Sequence, residues 1–203
     1  LFISLEGIDK SGKTTQGLHL NNFLKKKGCR VIYTAEPGGT SLGEEIEKIL
    51  LEGSQREMDK ITEMCLYLAD RAEHIREVIK PALLRGEIVI SDRYADATVA
   101  YQGYGRGIKV AWIESLNRKI TGGVFPELTF LLDIDPELAS RRGPSTDRME
   151  AENLNFHKRV REGYLKIARS NPERVKIIRA EEKPEEISLR IEKIVLKELS
   201  RED

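Results

Sequence analysis

Eight residues near the start of the chain, Gly7-Ile8-Asp9-Lys10-Ser11-Gly12-Lys13-Thr14, have the spacing G-x-x-x-x-G-K-[ST]. That spacing suits a loop that cradles phosphates. Glycines let the backbone turn tightly and aim its N–H groups at phosphate oxygens. A helix beginning near Lys13 adds the positive end of its dipole. The Lys13 ammonium can reach the β and γ phosphates of a nucleotide, and the Thr14 hydroxyl can ligate Mg²⁺.

Further polar residues cluster after apolar runs. Asp92-Arg93-Tyr94 closes one of them. A carboxylate there suits the water shell of Mg²⁺, and the Arg93 fork can bridge two phosphates. Glu36-Pro37-Gly38-Gly39-Thr40 follows another run and reads either as a tight turn or as a loop shaped around an acceptor. Tyr67 and Arg71 lie four residues apart, on one helical face. They can pair with each other or hold a base by stacking and hydrogen bonding. The stretch from Ala97 to Gly107 offers Thr98, Tyr101 and Gln102 among glycines. The run from Arg141 to Arg148 is polar and arginine-rich, and it reads either as a mobile lid or as a solvated turn. His19, His74 and His157 stand apart, without a partner at ligand spacing.

These residues need a scaffold, and the apolar runs supply one. Phe2–Leu5, Val31–Thr34, Ile88–Ser91, Leu128–Asp133 and Val175–Arg179 are short, rich in branched residues and without two-residue alternation. Strands buried on both faces of a parallel sheet have this character. Helical patterns lie between them. Leu18, Phe23 and Leu24 mark one apolar face; Met58, Ile61, Cys65, Leu68, Ala72, Ile75 and Ile79 mark another, within a helix from about Glu57 to Leu84. Ile187, Ile191, Ile194 and Val195 mark a third. The expected fold is α/β, a doubly wound parallel five-stranded sheet flanked by helices, formed by all 203 residues as one domain. Lys+Arg and Asp+Glu are equal in number, which argues against a nucleic-acid or membrane partner. Cys29 and Cys65 read as reduced, buried thiols in a cytoplasmic protein without export or membrane segments.

Over essentially its whole length the chain resembles the thymidylate kinases. The likeness rests on an ordered set of segments: 6–9 with 13–16, Glu36-Pro37-Gly38-Gly39-Thr40, 67–74, 79–83, Asp92-Arg93-Tyr94, 100–107 and Asp147-Arg148-Met149-Glu150. The resemblance implies transfer of the ATP γ-phosphoryl group to dTMP, giving dTDP for dTTP synthesis, with Mg²⁺ as cofactor. It implies a homodimer and a short lid over about residues 141–150. Lys13, Arg93, Asp9 and Arg148 are the implied catalytic residues. Gly7 to Thr15, including Lys10 and Ser11, would hold ATP together with Arg141 and Arg142. Thr14, Asp9 and Asp92 would serve the metal.

For dTMP, the resemblance implies Tyr67 stacked on thymine, Arg71 on a base carbonyl, and Thr98 and Gln102 against the base. Tyr101 would crowd the sugar, Arg93 would hold the acceptor phosphate, and Asp9, Glu36 and Pro37 would complete the site. Tyr67 stands where the family usually has Phe. The lid has no basic residue between Arg142 and Arg148, so Lys10 is a candidate for part of the charge usually supplied by arginine. Two other readings compete. One is a P-loop kinase for another nucleotide or for a deoxynucleoside, the latter with Glu36 as its base. The other is a nucleotide-binding module without turnover.

Overall fold

Strand β1 (Phe2–Glu6) is buried along its whole length and lies at the centre of the sheet. Around it run β2 (Val31–Ala35), β3 (Ile88–Asp92), β4 (Leu128–Asp133) and β5 (Val175–Arg179), in the spatial order β2-β3-β1-β4-β5. Every pairing is parallel; Ile3 sits opposite Ile90 on one side and Leu128 on the other. The computed structural model describes residues 1–51 and 57–200. The five expected strands are present, three of them one residue longer at the C-terminal end. Those extra residues are Glu6, Ala35 and Asp92, at the sheet edge where the polar segments begin.

Helices cover both faces. They are α1 (Lys13–Lys26), α2 (Ser41–Leu51), α3 (Lys60–His74), α4 (Lys80–Leu84), α5 (Ala95–Thr98), α6 (Val110–Thr121), α7 (Pro136–Ser140), α8 (Leu154–Ser170) and α9 (Pro184–Leu199). π-Helical turns at Ile75–Ile79 and Val99–Gly105 continue α3 and α5. The larger core cluster joins Ile3, Leu5, Ile90, Phe130 and Leu132 to Leu20 and Leu24 of α1, Phe156 and Val160 of α8 and Ile191 of α9. A second cluster packs Phe2, Val89 and Tyr94 against Ile75, Ile79 and Ala82.

Several predicted core positions are corrected. Leu18 is 44% exposed, and beside the expected Leu24 α1 buries Leu20 and the polar Gln16 and Asn21. Gln16 enters the interior because its amide donates to Pro184 O and accepts from Ser188. On α3, Cys65 and Ala72 face solvent, while Glu63, Met64, Leu68, Asp70, Arg71 and His74 are buried. The buried face of α3 is therefore mostly polar, which an apolar stripe cannot reveal. Cys65 is exposed and Cys29 half-buried, so neither thiol is the buried group expected.

Candidate active site

Strand β1 delivers the phosphate-type loop directly. Gly7 has φ 142°, and a Cβ there would lie 2.6 Å from Leu132 O and 2.8 Å from Ser11 Oγ. Only glycine fits that close approach. Gly12, at φ 97°, caps α1 in the left-handed region. Lys13 is buried and donates from Nζ to Ile8 O at 2.9 Å. Burial and the neighbouring Arg93 charge push its pKa down to about 8, against the opposing pull of Asp9, Asp92 and Glu6. The Ser11 hydroxyl is buried without a partner among the described residues. An orphaned hydroxyl and an ammonium resting on its own loop are groups that an anion can satisfy.

Strand β3 ends beside this loop. The Thr14 hydroxyl donates to Asp92 Oδ2 at 2.6 Å. Arg93 then takes a left-handed conformation, φ 69°, fixed by its N–H donating to Leu5 O at 2.9 Å. Such a conformation costs a non-glycine residue of order 1 kcal/mol, and it turns the guanidinium back over the loop. Arg93 Nη1 donates to Gly7 O at 3.0 Å, and Nη2 donates to Asp9 and to the Tyr101 hydroxyl. The Tyr101 hydroxyl donates in turn to Asp9 Oδ2 at 2.9 Å. Burial pushes the Asp9 carboxyl up, but Arg93, Lys13 and this hydrogen bond outweigh it and hold the group below its ordinary range.

A cleft opens beyond Arg93. It is lined by Asp9, Glu36, Pro37, Tyr67, Arg71, Arg93, Thr98, Tyr101 and Gln102, together with Leu51, Tyr94, Ala97, Asp147 and Met149. All nine residues assigned to the acceptor in the sequence thus face one space. Arg71 forms its floor and is only 1% exposed. Its donors are engaged by Glu36 Oε2, Thr98 Oγ1, Asn117 Oδ1 and Tyr94 O at 2.8 to 3.0 Å. The other Glu36 oxygen, Oε1, accepts from His74 Nδ1 at 2.9 Å. The loop at 36–40 is therefore held by a buried ion pair and is more than a turn. His74 is structural here, with its second nitrogen 2.6 Å from Thr34 Oγ1. Asp70 completes the cluster. Its Oδ1 accepts from Gly38 N, and burial with the Glu36 charge pushes its pKa up to about 7.

The segment 141–150 lies between α7 and α8 as turns, without a helix. It is docked on the phosphate loop: Lys10 Nζ donates to Gly143 O at 2.8 Å, and Arg142 Nη1 donates to Lys10 O at 3.0 Å. Arg142 also reaches Ala180 O, while Arg141 is exposed. Arg148 is held by Glu63 at 2.7 Å and by Leu50 O at 3.0 Å, and its buried Nη2 has no partner among the described residues. Sequence reasoning missed Glu63, Arg106, Tyr164 and Asn117, which tie these elements together. Only Arg106 carried a signal, as the cation within the glycine-rich stretch.

Comparison with known proteins decides the family. A family model described as Thymidylate kinase matches residues 5–191. The chain belongs to the thymidylate kinase family. It is 46% identical to a thymidylate kinase of Maridesulfovibrio salexigens over 197 residues, covering 92% of this chain and 91% of that protein. It is 44% identical to one from a Synechococcus species, covering 96% and 94%. The crystal structure of the Ehrlichia chaffeensis thymidylate kinase superposes with a TM-score of 0.80 at 35% identity, over 96% of this chain and 98% of that one. The five-stranded parallel sheet is the fold of that family. The enzyme is accordingly a kinase.

Proposed function

We propose that the enzyme transfers the γ-phosphoryl group of ATP to dTMP, with the phosphate loop holding ATP and the cleft beyond Arg93 holding dTMP. The observation that carries this division is the Arg93–Asp9–Tyr101 cluster. It lies between the loop and the cleft, where two anions must be brought together. The acceptor phosphate is itself an anionic nucleophile, so positioning and charge neutralisation suffice. Arg93 offsets repulsion between the two phosphates. Lys13 leaves Ile8 O for the donor phosphates, and an anion beside it raises its pKa and keeps it charged. Tyr67 offers a face for stacking, and Thr98 and Gln102 face the base. Arg142 and Lys10 fasten the lid over the loop and exclude water. Arg148 belongs to the same lid.

The Thr14–Asp92 pair fits Mg²⁺. With its proton given to Asp92, the Thr14 hydroxyl keeps its lone pairs for a cation, and Asp92 can accept from metal-bound water. Bound there with ATP, the ion would supply charge neutralisation between the β and γ phosphates. Asp9 is a less direct candidate for the metal, because both its oxygens are engaged by Arg93 and Tyr101. A homodimer belongs to the same reading; Leu42 and Ile49 on α2 and Trp112 on α6 are large apolar side chains exposed on one chain. So does a cytoplasmic site of action. Among the described residues, no helix is long and apolar enough to cross a membrane.

A deoxynucleoside acceptor is disfavoured. It would require a free carboxylate base, and Glu36 has one oxygen on Arg71 and the other on His74. The deciding assay is ADP production with Mg-ATP and dTMP, beside dUMP, dCMP, dGMP and thymidine. Turnover with dTMP well above the others is expected. Equal turnover with thymidine, or none with dTMP, would overturn the reading.

A further inference from the structure

Glu63 lies one turn before Tyr67 on α3, fully buried and outside the lining of the base cleft. Its carboxylate accepts from Gln102 Nε2 at 3.0 Å and from Arg106 Nε and Nη2, also at 3.0 Å. Arg148 Nη1 lies 2.7 Å from its second oxygen. Burial pushes the Glu63 pKa up, but the hydrogen bonds from Arg106 and Gln102 outweigh it, and the group is ionised at neutral pH. An ionised carboxylate only accepts hydrogen bonds. It therefore fixes which end of the Gln102 amide faces it, and that end is the nitrogen. Gln102 Oε1 has no partner among the described residues, and Gln102 lines the cleft with Tyr67, Arg71 and Thr98.

We propose that Glu63 is a specificity-determining positioning residue, which holds the Gln102 amide so that Oε1 meets the base as a fixed acceptor and selects pyrimidines carrying a hydrogen on N3. The inference rests on the placement of the base beside Tyr67 proposed above. Thymine carries that hydrogen; cytosine has a lone pair at N3. A glutamine amide free to turn over would suit either, since its two ends have opposite hydrogen-bonding character. With the nitrogen held, cytosine would set acceptor against acceptor and cost the cleft that hydrogen bond. Sites built on such a polar match reject the mismatch strongly. Arg106 and Arg148 make the device affordable by balancing the buried charge.

The test compares kcat/KM for dTMP and for 5-methyl-dCMP, which keeps the methyl group. It uses the wild-type enzyme, Glu63→Gln, Gln102→Leu and the double variant. An amide at position 63 can donate as well as accept, so Gln102 is released to turn over. The dTMP preference should fall about tenfold or more in Glu63→Gln, similarly in Gln102→Leu, and no further in the double variant. A purely structural role would slow both substrates alike, and an unchanged ratio in Glu63→Gln would overturn the inference. If Gln102→Leu also leaves the ratio unchanged, the placement of the base itself fails. Should Glu63→Gln not fold, the wild-type enzyme with ¹⁵N-labelled glutamine gives the answer. The Gln102 side-chain NH₂ signals, assigned by their loss in Gln102→Leu, should barely shift when dTMP binds. A large shift would place the nitrogen against the base and overturn the inference.

Discussion

The Tyr101 hydroxyl donates to Asp9 Oδ2 at 2.9 Å and in the same position accepts from Arg93 Nη2 at 3.1 Å. One phenol thus joins a residue of the phosphate loop to a residue of β3's end. The Arg93 guanidinium also lies over the Tyr101 ring, 4.9 Å from its centroid. Removing the oxygen leaves the ring contact and the direct Arg93–Asp9 pair but takes away the second bridge between them. Tyr101→Phe should lower kcat/KM for dTMP about tenfold, the cost of one hydrogen bond to a charged group. Steady-state kinetics check this, and unchanged kinetics would mean that the direct Arg93–Asp9 pair holds the cluster without the phenol.

Lys13 should matter for rate and little for folding. Among the described residues its ammonium makes one hydrogen bond, to its own loop. Lys13→Ala should lower kcat by about a thousandfold or more, with an unaltered circular dichroism spectrum. Near-normal turnover by a folded variant would remove Lys13 from the mechanism.

Glu36 is expected to behave in the opposite way, as a stability residue. Both its oxygens balance buried partners, Arg71 and His74, and the carboxylate is 4% exposed with its residue. Glu36→Gln strands the Arg71 charge and should cost about 3–5 kcal/mol. Urea unfolding measures it. A loss below about 1 kcal/mol would show that Arg71 finds other partners.

The pH dependence of stability follows from Glu6. Tyr94 N and the Tyr164 hydroxyl donate to it at 2.8 and 2.9 Å, yet burial and the nearby Asp96 charge push its pKa up to about 8. The folded protein therefore holds this proton more tightly than the unfolded chain. Its contribution is fully present below the ordinary value of 4.5 and is lost as pH rises through about 8. Asp70, raised to about 7, acts in the same direction. The melting temperature should fall between pH 5 and pH 8, and Glu6→Gln should shrink that fall. An equal fall in the variant would locate the effect elsewhere.

Strands and phosphate loop were legible because their signals are local. A buried parallel strand is an apolar run, and the loop's glycines and lysine lie within eight residues. The residues that line the cleft beyond Arg93 were singled out by the resemblance; residue types alone left Glu36 between a turn and an acceptor loop, and Tyr67–Arg71 between a helix-face pair and a base holder. What stayed hidden is the polar interior of α3. Glu63, Asp70 and His74 look like solvent-facing residues until Arg106, Gly38 and Thr34 arrive from elsewhere in the chain to satisfy them. Leu18 and Cys65 failed for the complementary reason. Apolar positions at helical spacing do not say which face the sheet will meet.

The position of β1 has a consequence for synthesis. It pairs with β3 and β4 alone, at Val89–Asp92 and Leu128–Leu131. The phosphate-type loop is synthesised before either neighbour of the strand that supports it. Contacts this distant in sequence close slowly. Until β3 emerges, Phe2, Ile3 and Leu5 form an apolar segment without its sheet neighbours, a natural contact for a holding chaperone.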